Sequence, residues 1–202
     1  MENGPKHIIL PDEKGNYWVI KVPYKCNLPT KPFTVAVVGN ATSLFEKRYG
    51  QDIDSHDVVI RINRAAQFIN ISKEYNKSHG IKTDIWCMWC HKEYEGESVR
   101  THRNMCQMVW WDYTPELGVE QIYTGWFFDH ILPWTPSTGL MVLAWLSTLP
   151  CTVDVYGFDW KATPTYTDPN REFDQSTIHN FELEKQLCEE YFQASGNFKF
   201  HS

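Results

Sequence analysis

Val35–Ala65 reads VAVVGNATSLFEKRYGQDIDSHDVVIRINRA, and this stretch decides the fold class. Val35–Val38 and Val58–Ile62 are apolar runs of the length of buried strands. Between them Gly39-Asn40 supplies a tight polar turn, and Leu44–Tyr49 reads as a helix. Strand, turn, helix, strand is the opening unit of a doubly wound α/β fold. Ligands in such folds bind beyond the carboxyl ends of the strands, near helix N-termini. Asn40 therefore stands where a turn offers amide groups to a bound anion.

The rest of the chain extends this unit. Upstream, His7–Leu10 and Tyr17–Val22 are β-rich and flank the turn Pro11–Asn16, which predicts a hairpin. A linker, Pro23–Pro32, follows. The expected organisation is a hairpin and linker over 1–32 and a single domain over 33–202. Ala66–Gly80 should hold a helix and a loop, while Thr83–Trp89 and Met108–Trp111 read as further strands. Ser137 is a good N-cap for an apolar helix over Thr138–Leu149, stopped by Pro150. A helix apolar nearly all round is expected to be buried. Its N-terminus, with Ser137, Thr138 and Gly139, would seat a phosphate. Thr152–Tyr156 reads as a central strand ending at Gly157-Phe158, and Lys161–Asp174 as a loop able to act as a lid. Ser176–Ser195 reads as a last helix, with Ile178, Phe181, Cys188 and Tyr191 on one face and Gly196 as its stop.

Composition narrows the function. The chain has 202 residues, 42% of them hydrophobic and 15% aromatic, enough for one globular domain with a real core. A net charge of −6 argues against a broad basic surface for nucleic acid. No apolar run reaches the ~18 residues a membrane span requires. MENGPKHIIL has no signal-peptide plan, so a cytoplasmic location is expected. The six cysteines show no secreted framework.

Two patterns invite a metal reading. Asp52-Ile53-Asp54 is a DxD, a way of holding a divalent cation against a diphosphate. Cys87-Met88-Trp89-Cys90-His91 fits a haem-attachment pattern, but it lies in a segment that reads as a buried strand.

Three motifs in order resemble one family. Gly39-Asn40 at a strand end followed by GQDIDSHDVVIRIN is similar to the large donor-binding motif of the eukaryotic-type sialyltransferases (glycosyltransferase family 29-like). Pro136–Leu140 with Val153–Phe158 resembles their small motif, and His179 with Glu184 their very short motif. The resemblance implies a variant of the GT-A glycosyltransferase fold in one Rossmann-like doubly wound domain. It implies an inverting transferase that uses a CMP-activated sugar, without metal or other cofactor, on a glycan or another hydroxyl acceptor.

By the same resemblance His179 is the catalytic base. Near a helix start the dipole favours its neutral ring. Asn40, Asn63, Ser137, Thr138, Gly139, Gly157 and Phe158 would hold the donor nucleotide and phosphate. The family's histidine-aromatic motif is missing after the small motif; Tyr166 stands nearby as a substitute donor of a hydrogen bond. Asp112, Tyr113 and Trp126 are candidate acceptor contacts. The family's cysteine pair is also missing, since Val35 takes the first position and Cys151 lies about one residue from the second. That points to a reducing compartment and to a microbial or viral member. A pentose or other sugar placed on a hydroxymethylated base of viral DNA is one alternative. A CMP-sugar hydrolase and a CMP-sugar-binding relative without catalysis are two more.

Overall fold

The computed structural model describes residues 7–11, 17–21, 28–63, 65, 72–88, 105–109, 120–124, 135–160, 162–164 and 179–201. Strands β1 (His7–Pro11) and β2 (Tyr17–Lys21) pair antiparallel. The main sheet holds β3 (Phe33–Val38), β4 (Val58–Ile62), β5 (Ile85–Met88), β6 (Met105–Val109), β7 (Glu120–Tyr123), β8 (Cys151–Tyr156) and β9 (Phe198–His201). All its pairings are parallel, in the order β7-β6-β5-β4-β3-β8-β9. The chain lays strands outward from β3 to β7, then returns to the other side of β3 for β8 and β9. The order reverses between β3 and β8, and that reversal opens a crevice at their carboxyl ends.

A parallel sheet must be covered on both faces. On one face Val35, Val37, Ile60, Ile62, Val153 and Val155 pack against helix α3 (Thr138–Leu146), all of whose residues are buried. On the other, Ala36, Val38, Val59 and Tyr156 meet Leu44 and Ile53. Period-two alternation along β3 and β8 thus sorts their side chains between two cores.

Three sequence expectations are corrected. The helix placed at Leu44–Tyr49 is a short 3-10 turn over Thr42–Glu46, and helix α1 lies later, at Gly50–Ser55. Only Leu44 of that turn is buried, so its apolar content could not support an amphipathic helix. Gly50 begins α1 because a side chain there would strike helix α2 (Lys73–His79): a Cβ would lie 2.0 Å from the Asn76 carbonyl oxygen.

The last helix is α4 (Phe181–Leu187), continued by a π-turn over Cys188–Phe192 and a 3-10 turn over Gln193–Ser195. The extra residue of the π-turn rotates the buried face, so Leu187, Cys188 and Phe192 point inward while Tyr191 is 53% exposed. Finally, Phe198–His201 adds β9, a strand absent from the sequence reading.

Candidate functional site

Four elements converge at the strand-order reversal. The Gly39 amide donates to the Tyr156 carbonyl (2.7 Å) across the ends of β3 and β8. A Cβ on Gly39 would lie 2.4 Å from the Gly157 carbonyl oxygen, so the two chain segments meet backbone to backbone. Gly157 takes a left-handed φ of 69°, open to glycine at little cost. Phe158 then folds over the first turn of α3: a Cβ on Gly139 would lie 2.7 Å from its ring and 3.6 Å from Ile62 Cδ1. Gly139 is a glycine in order to admit that ring. The contact brings the end of β4, and Asn63 after it, to the same place. Asn63 has a left-handed φ of 46°, and its carbonyl accepts the Trp86 indole N–H.

Asn40 follows Gly39 directly. Its Oδ1 is buried and makes no hydrogen bond. An unmade bond of this kind costs about 1–3 kcal/mol. A bound polar group would remove that cost.

Helix α3 begins at Ser137, whose hydroxyl oxygen accepts from the Leu140 amide (3.2 Å), as its N-cap role predicts. A second partner occupies the same serine. The Glu184 carboxylate, 1% exposed, accepts from the Ser137 amide (2.7 Å) and from its hydroxyl (2.6 Å). Glu184 therefore binds the first turn of α3. Ser137 is committed to holding α3 against α4, and Thr138 and Gly139 carry the next amides of the turn.

His179 precedes the N-cap of α4, Asn180, whose side chain accepts from the Leu183 amide (3.1 Å). The His179 ring is half-buried and edge-on to Phe181, with centroids 5.7 Å apart. Its Nδ1 lies 2.8 Å from the Thr135 carbonyl oxygen. A carbonyl only accepts, so Nδ1 carries the proton and Nε2 is the basic nitrogen. His179 on Thr135 and Glu184 on Ser137 together dock α4 on the entry to α3. Asn40, Asn63, Ser137, Thr138, Gly139, Gly157, Phe158 and His179 thus share one end of the sheet. Asp112, Tyr113, Trp126 and Tyr166 lie outside the described residues, as do Cys90 and His91.

The aspartates of the DxD serve the scaffold. Asp52 accepts from the Tyr156 hydroxyl (2.7 Å). Asp54 accepts from the Ile81 and Lys82 amides (2.9 Å each). Among the described residues no three His, Cys, Asp or Glu side chains are arranged to hold a metal ion. Cys87, Cys151 and Cys188 are buried thiols, and burial pushes the Cys151 thiol up to about 11.

Two polar clusters escaped the sequence reading. Asp154 lies between His56 Nε2 (3.2 Å) and His201 Nε2 (2.5 Å), and His201 stacks on Tyr156. Burial pushes the Asp154 carboxyl up, but the hydrogen bonds from His201 and His56 and their charges together outweigh it and hold it below the usual carboxylate range. The other cluster centres on Asp159, whose Oδ2 accepts from the Ser43 hydroxyl (3.2 Å), the Thr163 amide (3.0 Å) and the Thr163 hydroxyl. The first joins residues 98 and 47 positions apart and the second reaches across 116, so no local pattern announces these contacts.

Comparison with known proteins places these observations. Residues 24–111 match Glycosyltransferase family 29 (sialyltransferase). The mouse CMP-N-acetylneuraminate-beta-galactosamide-alpha-2,3-sialyltransferase 2 is 26% identical over 214 aligned residues, 86% of this chain and 58% of the relative. Arabidopsis thaliana sialyltransferase-like protein 1 is 25% identical over 198 residues, 87% of this chain and 38% of the relative. The chain thus spans little more than half of the mouse relative's length. A mammalian sialyltransferase crystal structure superposes with a TM-score of 0.58 at 20% identity, over 93% of this chain and 74% of that one. The α/β fold is shared with that sialyltransferase, and the sequence likeness runs to sialyltransferases of an animal and to a sialyltransferase-like protein of a plant.

Proposed function

We propose that this protein is a sialyltransferase-like glycosyltransferase that uses a CMP-activated sugar, with sialic acid as the first candidate. The observation that carries the reading is the buried, unsatisfied Oδ1 of Asn40 at the β3–β8 crevice, next to Gly39, which meets the same Phe158 ring as Gly139 of α3. The nucleotide would lie across that crevice, held by Asn40, Asn63, Gly157 and Phe158. Its phosphate would face the Thr138 and Gly139 amides, where the helix dipole favours negative charge. Tyr166 remains the candidate further donor of a hydrogen bond to it.

Transfer is one displacement. The acceptor hydroxyl gives its proton to His179 Nε2 as its oxygen bonds the anomeric carbon. The bond to the CMP phosphate oxygen breaks on the opposite face, and configuration inverts. The Thr135 carbonyl supports this role by holding the proton on Nδ1. Most of the rate then comes from positioning and from stabilising the leaving phosphate. Metal independence is part of the proposal, because Asp52 and Asp54 are spent on Tyr156 and on the loop after α2. So are a GT-A-like domain over 33–202 and a reducing compartment, in which the buried Cys87, Cys151 and Cys188 thiols would stay reduced. The acceptor is a glycan or other hydroxyl compound; a β-galactoside is the first to try, from the mouse relative's name.

The test is release of CMP from CMP-sialic acid with and without a β-galactoside acceptor. Acceptor-dependent release that falls at least a hundredfold in His179→Ala, with CMP binding kept, is expected. Release independent of any acceptor would make the protein a hydrolase, and no release with CMP bound would make it a binding relative.

A further inference from the structure

The two loops that frame the β3–β8 crevice are joined by one side chain. Asp159 sits two residues beyond Gly157, in the loop after β8, and three hydrogen bonds converge on its Oδ2. Two come from Thr163 of its own loop, and the third comes from the Ser43 hydroxyl of the loop after β3. Secondary ties run alongside: the Ser43 amide donates to Thr163 Oγ1 (3.2 Å), and the Thr42 amide to the Pro164 carbonyl (3.0 Å). The Ala41 amide reaches the Gly157 carbonyl at 3.4 Å. Asn40, whose buried Oδ1 awaits a partner, is the residue just before this laced segment.

We propose that Asp159 is a positioning residue for the donor site, which locks the Asn40 loop to the Gly157-Phe158 loop and so sets affinity for the nucleotide. The inference rests on the donor reading above. Asp159 itself touches no reacting atom; it acts through the Ser43 and Thr163 contacts on the placement of Asn40. Because the Ser43 and Thr163 donors are N–H and O–H groups aimed at one oxygen, an asparagine carbonyl can take that place. The variants therefore separate: Asp159→Ala removes the acceptor, whereas Asp159→Asn keeps it.

The test titrates CMP into the wild type, Asp159→Ala, Asp159→Asn and Ser43→Ala by calorimetry, and follows amide exchange in the same proteins. A coupling of ordinary size predicts about tenfold weaker CMP binding in Asp159→Ala, with Asp159→Asn within about threefold of wild type. Ser43→Ala should fall between them. Exchange at Thr42 and Ser43 should quicken in Asp159→Ala while Val37 in β3 stays protected. Unchanged CMP binding in Asp159→Ala overturns the inference. Equal loss of protection at Val37 and Ser43 also overturns it, since the side chain would then be holding the whole domain. A wild type that fails to bind CMP overturns the donor reading, and the inference with it. That failure is told apart from the other two because the unaltered protein is silent.

Discussion

Replacing Glu184 should separate the docking of α4 from the rest of the fold. Its carboxylate is 1% exposed and accepts two hydrogen bonds from Ser137, at 2.7 and 2.6 Å. Bonds to a charged group contribute about 1.5–3 kcal/mol each. In Glu184→Gln the amide carbonyl can still receive the Ser137 N–H. The amide NH2, however, cannot accept from the hydroxyl; it can only donate to that oxygen, which already receives the Leu140 amide, and the hydroxyl proton loses its acceptor. One charge-assisted bond becomes neutral and the other is at best replaced by a reversed neutral one, a net cost of about 2 kcal/mol. Glu184→Ala loses both and leaves a void beneath α3, for about 3–5 kcal/mol.

In urea unfolding followed by tryptophan fluorescence, the glutamine variant should lower the midpoint without altering the slope. Its melting temperature should fall by about 4–8 °C for a domain of this size. A double-mutant cycle with Ser137→Ala should show a coupling of at least about 1 kcal/mol. A loss below about 0.5 kcal/mol in Glu184→Gln, or strict additivity with Ser137→Ala, would refute the reasoning.

Two further outcomes follow from the scaffold. Burial, and the nearby Arg61 guanidinium, push His79 down from 6.5 to about 4. The unfolded chain therefore takes up this proton first. Stability from His79 is whole above pH 6.5 and drains as pH falls towards 4, by about 3 kcal/mol in all. Urea titrations at pH 7 and 4.5 should show that difference shrinking in His79→Phe; equal acid losses in both proteins would refute it. Gly39→Ala places a Cβ 2.4 Å from the Gly157 carbonyl oxygen, a backbone atom that cannot swing aside. It should cost about 2 kcal/mol or more, and a variant as stable as wild type would show that the strand ends are free to part.

Much of the scaffold was legible because its signals are local. Val58–Ile62 is a strand with the bounds its apolar run suggests, and Ser137 caps α3 as a serine before a long apolar run should. What was misread depends on distant contacts. The helix read over Leu44–Tyr49 lies later, from Gly50, whose lack of a side chain makes sense only once α2 is seen against it. The face of α4 is turned by a π-turn that no periodicity of 3.6 anticipates, and Glu184 is buried for a serine 47 positions away. The alternation of Phe198 and Phe200 was a readable strand signal; it was missed because a single four-residue run carries little weight alone. Within the site, glycines and Asn40 were visible through motif resemblance. Thr135 and Asp159 act through a backbone carbonyl and a convergence of loops, which only the fold brings together.

The measurement that tests the central claim most directly is thermal stability with CMP, UMP, GMP or no ligand, each with and without EDTA. A ligand at a hundred times its dissociation constant stabilises by about 2.7 kcal/mol, several degrees for a chain of this length. The account predicts a rise with CMP alone that EDTA leaves unchanged. No rise with CMP, or a metal-dependent rise with UMP, would contradict it and return Asp52 and Asp54 to the centre of the site.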